Sequence, residues 1–133
     1  MGDDRITLTV PAKGEYAKTV RMTAAALVSR MGMSYDDLDD VRMAAEEAFV
    51  YACDSEPASG EVTIHFTPGS DLILIDVPLG AGGHAADEEA ERRASYATFI
   101  LQSVCDRFEL SSDENGAWLR LEKRVAAESL DDA

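Results

Sequence analysis

The side chains best placed for chemistry are Glu47 and Tyr51, which stand four residues apart in a stretch with helical periodicity. This spacing places both side chains on one face of a helix. A carboxylate held there could serve as a general base. Taken alone, the pair is also what a solvated acid and a packed tyrosine on an amphipathic helix would look like.

The cysteines and histidines do not form a recognisable site. Cys53 and Cys105 lack CxxC spacing and fall in helix-like stretches, which favours buried free thiols over a zinc site or a disulfide. His65 lies in a strand pattern and His84 in a Gly-rich loop, and neither has a companion at ligand spacing. We therefore expect no metal site at these four residues.

The charge balance limits the classes of partner. Twelve basic residues against 26 acidic ones give a formal net charge of −14. Such a surface repels phosphate backbones and anionic lipids, which argues against direct nucleic-acid binding, and it suits either a basic protein partner or simply solubility. No apolar run approaches the roughly 18–20 residues that span a bilayer, and the N-terminus lacks a signal-peptide core. We expect a cytoplasmic protein that does not contact membranes.

The hydrophobic patterns follow the order β-α-α-β-β-α-β-β. Period-two alternation predicts strands, and these cover residues 6–10, 62–66, 72–77, 108–110 and 117–123. Helical spacing and an N-cap at Ser34 predict helices, and these cover residues 15–31, about 35–54 and about 88–105. Residues 78–87, rich in Gly and Ala, are predicted to be irregular.

This order predicts an α+β fold. Three helices lie on one mostly antiparallel sheet in a two-layer sandwich. A single domain accounts for residues 1–125, and residues 126–133 form an acidic tail that is expected to fray.

Residues at the landmarks of this order resemble a known family. They are Val10-Pro11-Ala12 ending the first strand, Asp39-Asp40-Val41-Arg42 leading into Glu46-Glu47-Ala48, Ser103-Val104-Cys105-Asp106 running into Phe108-Glu109-Leu110, and Asn115-Gly116 in the last hairpin. In this order and spacing they resemble the GHKL ATPase fold of histidine kinases. More narrowly, they are similar to the small anti-sigma-factor serine kinases of the RsbW and SpoIIAB type. The resemblance covers about residues 5–125.

The resemblance implies a nucleotide site whose first two polar contacts are changed here. In the family's Glu-x-x-x-Asn motif the Glu acts as base and the Asn holds Mg²⁺; Glu47 matches the first and Tyr51 the second. In the Asp-x-Gly-x-Gly motif the Asp reads the adenine amine, and Leu79 stands at that position. A leucine cannot accept that hydrogen bond, and an unsatisfied buried polar group costs about 1–3 kcal/mol.

The glycines implied by the resemblance are also mostly replaced. Ala81 stands at the first glycine of the adenine motif, and only Gly83 remains in register. The phosphate-cradling Gly-x-Gly matches Ser95, Tyr96 and Ala97, where a Cβ at both ends hinders close approach of the backbone to phosphate.

Three functional hypotheses follow. The first is an anti-sigma-factor-like regulator that acts by protein–protein binding, with weak or no ATP binding and no cofactor. The resemblance implies a sigma factor, a STAS-type anti-anti-sigma protein, or both as partners, and a homodimer. The acidic stretches at residues 36–40 and 87–91 are candidates for meeting a basic partner.

The second hypothesis is an active serine kinase that uses ATP and Mg²⁺ to phosphorylate the STAS protein, with Glu47 as base. The third is a sensory domain whose pocket, made more apolar by Tyr51, Leu79 and Tyr96, holds another small ligand.

Overall fold

The computed structural model describes residues 4–55, 57–80, 88–114 and 116–124. Five strands and three α-helices follow one another in the predicted order. They are β1 (Ile6–Pro11), α1 (Ala17–Val28), α2 (Tyr35–Asp54), β2 (Glu61–Pro68), β3 (Leu72–Gly80), α3 (Glu88–Val104), β4 (Arg107–Asp113) and β5 (Gly116–Arg124), with a 3₁₀ turn at Gly14–Tyr16 before α1.

The strands form one antiparallel sheet in the order β1-β2-β3-β5-β4. Period-two alternation turns one side chain in two toward the helices, and those residues are buried. They are Val62, Ile64 and Phe66 of β2, Ile73, Ile75, Val77 and Leu79 of β3, and Leu119 and Leu121 of β5. The helices cover this face, so the predicted two-layer α+β sandwich is confirmed.

Helix α2 is the central helix of the layer. Its sequence explains both where the helix starts and how closely it packs on the sheet. Ser34 caps the helix, because its Oγ accepts a hydrogen bond from the Asp37 N–H at 3.1 Å. Its buried stripe consists mainly of small residues around one fully buried ring, Phe49. Small side chains let α2 lie close to the sheet and to its neighbours, α1 and α3.

The first helix is shorter than predicted. Gly14 opens a 3₁₀ turn, so α1 begins at Ala17 instead of residue 15. It ends at Val28 because the next bonds are of the i to i+3 kind, from the Arg30 and Met31 N–H groups to the Leu27 and Val28 carbonyls. Gly32 then takes a φ of 76°, a conformation that glycine adopts without steric cost.

Strand β3 is longer than predicted. Residues 78–80, expected to be irregular, continue the pairing with β5 across a bulge between Pro78 and Gly80. Pairing with β2 ends at Asp76, opposite His65. Pro78 lacks the N–H that a longer ladder would need. The rest of the segment predicted to be irregular, residues 81–87, and the predicted tail at residues 126–133 lie outside the described residues.

Lys123 ties the two layers together at one end of the sandwich. Its ammonium donates to Asp40 Oδ2 at 3.1 Å and to the Val104 carbonyl at 2.9 Å, and Asp37 Oδ1 lies 3.7 Å away. The side chain is only 13% exposed. These contacts join β5 to the start of α2 and the end of α3.

Among the described helices, none has the length and apolar content needed to cross a bilayer.

Candidate functional site

A cavity of about 460 Å³ lies between α2 and α3. The face of α2 that carries Ala48 and Ala52 packs inward, and the turn that carries Glu47 and Val50 faces α3. From α3 the cavity is lined by Glu89, Arg92, Arg93 and Tyr96. Its volume falls within the range of small-molecule sites, and it contains the predicted base, Glu47.

Glu47 is half-buried on this helix face. Burial raises the pKa of its carboxyl above the ordinary value, and the neighbouring charge of Glu46 adds to the shift. Glu46 itself is paired, because Arg21 of α1 donates to its Oε1 at 2.7 Å. Glu47 therefore carries a carboxylate whose charge is disfavoured by its surroundings, a property shared by many general bases.

Tyr51, one turn after Glu47, does not line the cavity. Its ring is half-buried and packs against the hydrophobic core, and burial raises the pKa of its phenol. Its carbonyl accepts a hydrogen bond from Ser55 Oγ at 3.2 Å. The tyrosine thus packs as an amphipathic residue, the alternative interpretation of the sequence.

Leu79, at the position that the resemblance assigns to adenine recognition, belongs to the core. It is 5% exposed and continues the inward-facing row of β3. An aspartate at this depth would bury a carboxylate, whereas the leucine adds apolar contact. Asp76, the nearest acid in β3, faces the opposite side of the sheet and pairs with Arg120. The even-numbered residues of β3 face away from the helices.

Ser95, Tyr96 and Ala97 lie inside α3, at least seven residues after its first residue, Glu88. Backbone N–H groups this far into a helix bond to carbonyls four residues earlier and are not free to bind phosphate. Ala97 is fully buried, whereas Tyr96 is 62% exposed and lines the cavity. Ala81 and Gly83 fall outside the described residues.

Arg93, which lines the cavity, forms an ion pair with α2. Arg93 Nε and Nη2 donate to Asp54 Oδ2 and Oδ1, both at 3.0 Å. Such a two-bond contact fixes the orientation of both groups. Because Asp54 is the last residue of α2, the pair joins α3 to the end of α2.

The donor set does not fit Mg²⁺ and ATP in the way the resemblance implies. The phenol of Tyr51 replaces an amide, Leu79 offers no acceptor, and the N–H groups of residues 95–97 are used within α3. Over the described part of the chain, three or more metal-ligating side chains do not converge anywhere. The structure brings Glu47 and Tyr96 together and leaves the other described candidates in the core or on the helix surface.

The sequence interpretation missed Arg92 and Arg93. Both lie in the charged first turns of α3, and the sequence alone assigns neither of them to a site. Only the packing of α3 against α2 shows that both arginines line the same cavity as Glu47, since two strands separate the helices in the chain.

Comparison with known proteins gives the same family. Residues 10–123 match the family model of the histidine kinase-like ATPase domain. The serine-protein kinase RsbW of Oceanobacillus iheyensis is 26% identical over 96% of this chain and 91% of that protein. The serine-protein kinase RsbW of Bacillus subtilis is 39% identical over 70% of this chain and 60% of that protein.

A solved structure supports the fold independently. The RsbU and RsbW domains of Rv1364c from Mycobacterium tuberculosis superpose with a TM-score of 0.70 at 14% identity, over 92% of this chain. The chain spans about a third, 32%, of that longer chain. The family match covers most of the sequence, from the end of β1 to the last strand. This chain therefore belongs to the histidine kinase-like ATPase domain family, and within it to the RsbW type.

Proposed function

We propose that this chain is an anti-sigma-factor-like regulator that acts by binding other proteins, with weak or no ATP binding. The observation that carries the proposal is the burial of Leu79 in the core at the adenine-reading position. An adenine bound there would find no acceptor for its amine, and an unsatisfied polar group costs about 1–3 kcal/mol. The helical hydrogen bonding of residues 95–97 removes a second set of contacts.

The partners proposed are a sigma factor, a STAS-type anti-anti-sigma protein, or both, bound by a homodimer of this chain. The acids of α2 are less available for a basic partner than the sequence predicts, since Asp40 and Asp37 face Lys123 and Asp39 pairs with Arg42 at 3.2 Å. The acids at the start of α3 are exposed and remain candidates for this contact. They are Glu88, Glu89 and Glu91.

Calorimetry with ATP and Mg²⁺ tests the nucleotide part of the proposal. We expect no heat of binding at millimolar ATP, and the serine-protein kinase RsbW of Bacillus subtilis serves as a positive control. A dissociation constant tighter than about 100 µM, equivalent to about 5.5 kcal/mol, would refute this part. Co-purification from the native cells tests the partner part, and recovery of neither a sigma factor nor a STAS protein would count against it.

A serine kinase is the second candidate, favoured by Glu47. Its half-buried carboxyl has a raised pKa and lines the same cavity as Arg92 and Arg93. The relatives that align over nearly all of this chain are themselves named serine-protein kinases. Incubation of the purified chain with a co-purified STAS partner and labelled ATP separates the two candidates. Phosphoserine that disappears in Glu47→Gln would establish the kinase, and its absence with retained binding supports the regulator.

A further inference from the structure

Large apolar side chains are exposed on the outer surface of α2 and α3. Met43 of α2 is 42% exposed and Phe99 of α3 is 64% exposed, and Tyr96 of α3 is exposed as well. They belong to two stripes of i, i+4, i+7 spacing, and residues at this spacing share one face of a helix. The stripes are Met43, Glu47 and Val50 on α2, and Arg92, Tyr96 and Phe99 on α3.

Helices α2 and α3 run antiparallel. Asp54, the last residue of α2, bonds to Arg93 near the start of α3. At the opposite end, Lys123 bonds to Asp40 near the start of α2 and to the carbonyl of Val104, the last residue of α3. Moving toward the start of α2 therefore means moving toward the end of α3.

The two stripes border one groove. Four of their members line the cavity between the helices: Glu47, Val50, Arg92 and Tyr96. Met43 lies one turn before Glu47 on α2, and Phe99 lies one turn after Tyr96 on α3. Because the helices are antiparallel, Met43 and Phe99 extend the groove beyond the cavity at the same end, and this end is apolar.

The other end of the groove is acidic. Glu89 lines the cavity, and Glu88 stands one turn before Arg92 on α3. Within the described part of the chain, no ion pair engages Glu88, Glu89 or Glu47. Arg93 is already paired with α2, so Arg92 stands against three acids. The charge at this end is therefore negative.

Both walls of the groove are helices, and this restricts what can fill it. The backbone groups in the middle of a helix are bonded within that helix, so these walls offer an extended segment few backbone partners. A helix satisfies its own backbone bonds and packs its side chains into the groove between two others. The net charge of −14 disfavours a second copy of this chain as the occupant and favours a basic one.

We propose that this groove binds an amphipathic helix of a protein partner, with apolar side chains at one end of its contact face and Lys or Arg at the other. The apolar side chains pack on Met43, Tyr96 and Phe99, and the basic ones meet Glu88 and Glu89. A helix of about three turns covers the α3 wall between Glu88 and Phe99, which is about 16 Å long at 1.5 Å per residue. The inference rests on the proposed function only in that the helix belongs to a protein partner.

A designed peptide tests the groove directly. The probe is a fluorescently labelled helical peptide of about 16 residues, with leucines at i, i+4 and i+7 in one half of a face and lysines in the other half. At physiological ionic strength, fluorescence anisotropy is expected to show saturable binding with a dissociation constant on the order of 100 µM or tighter. A scrambled peptide of the same composition keeps the charge and loses the apolar face, and it is expected to bind about tenfold more weakly.

Three variants locate the contact. Phe99→Ser and Met43→Ser are each expected to weaken binding of the designed peptide about tenfold. Met22→Ser is the matched control, because Met22 is 58% exposed on α1 and does not border the groove. It is expected to leave the affinity unchanged. All three side chains are exposed, so none of the substitutions removes packing that the fold requires.

Several results would overturn the proposal. The first is the absence of saturable binding of the designed peptide up to about 1 mM. Equal binding of the scrambled peptide would indicate attraction by charge alone. Equal effects of Met43→Ser and Met22→Ser would place the contact elsewhere. Dimerisation of the free protein that Phe99→Ser abolishes would show that a second copy occupies the groove.

Binding of the co-purified partner separates this inference from the proposed function. Partner affinity that falls in Phe99→Ser and not in Met22→Ser supports both. A partner that binds Phe99→Ser as tightly as the unmodified chain refutes the groove and leaves the regulator in place. Recovery of neither a sigma factor nor a STAS protein counts against the proposed function, while binding of the designed peptide still supports the groove.

Discussion

The ion pair of Arg93 and Asp54 predicts a measurable coupling between α2 and α3. Asp54 is 16% exposed and Arg93 51% exposed, and two hydrogen bonds join them. Exposed pairs contribute about 0.2–1 kcal/mol, and a two-bond geometry with one largely buried partner belongs at the upper end. We expect a coupling energy of about 1 kcal/mol between the two side chains.

A double-mutant cycle of Arg93→Gln and Asp54→Asn isolates this coupling from the other contacts of each residue. Urea unfolding followed by Trp118 fluorescence gives the four free energies of unfolding. In thermal unfolding, each single variant is expected to lower Tm by about 3 °C. Coupling should weaken in high salt, since screening acts on partly exposed charges.

A second cycle provides the control. Arg42 and Asp39 form an exposed pair within α2, 40% and 61% exposed at 3.2 Å. Such i,i+3 pairs contribute about 0.2–0.5 kcal/mol. If the Arg93 and Asp54 cycle gave no more coupling than this control, the inference that the pair holds α3 against α2 would be wrong.

Three further predictions follow from the described contacts. Burial raises the folded-state pKa of Glu47 above 4.5, so its charge opposes folding at neutral pH. Glu47→Gln should therefore stabilise the protein at pH 7 by up to about 0.5 kcal/mol, after discounting for solvent screening, and should not stabilise it at pH 4. Urea titrations at the two pH values measure this difference. Lys123→Met removes the ammonium that Asp40 and a backbone carbonyl accept from and should cost about 2 kcal/mol in the same assay; a loss below about 0.5 kcal/mol would contradict a structural role. Burial raises the pKa of the Cys53 thiol to about 11 and that of Cys105 to about 12. Both should therefore react with a thiol reagent at pH 8 much more slowly in the native protein than after unfolding, and equal labelling rates would contradict this.

The fold could be predicted from the sequence because its signals are local. The alternation in β2 and β3 and the N-cap at Ser34 each depend on residues within one element, and the structure bears them out. The misplaced boundaries have non-local causes. Residues 78–80 extend β3 because β5 lies beside them, and that pairing joins residues about 40 positions apart.

The site could be predicted only in part. The position of Glu47 follows from one motif on one helix, but the cavity depends on α3 lying against α2. Arg93 reaches Asp54 across 39 positions of sequence. The polar contacts on the face of the sheet away from the helices could not be predicted for the same reason, since the alternation of β3 predicts only that Asp76 points away from the core. The register that places His65 and Arg120 on either side of it is a property of three strands.

At the changed motif positions that the structure describes in or beside the core, the side chains make apolar contacts. Leu79 and Ala97 are buried apolar residues where the family resemblance implies a charged group and a glycine, and Tyr51 packs its ring on the core. Each change removes a polar group or a flexible backbone position that a nucleotide would otherwise have to satisfy. Sites built for ligands commonly cost stability in the free protein. The α2 and α3 region of this chain combines core packing with an interhelical ion pair, which supports the proposal of a regulator that folds without nucleotide.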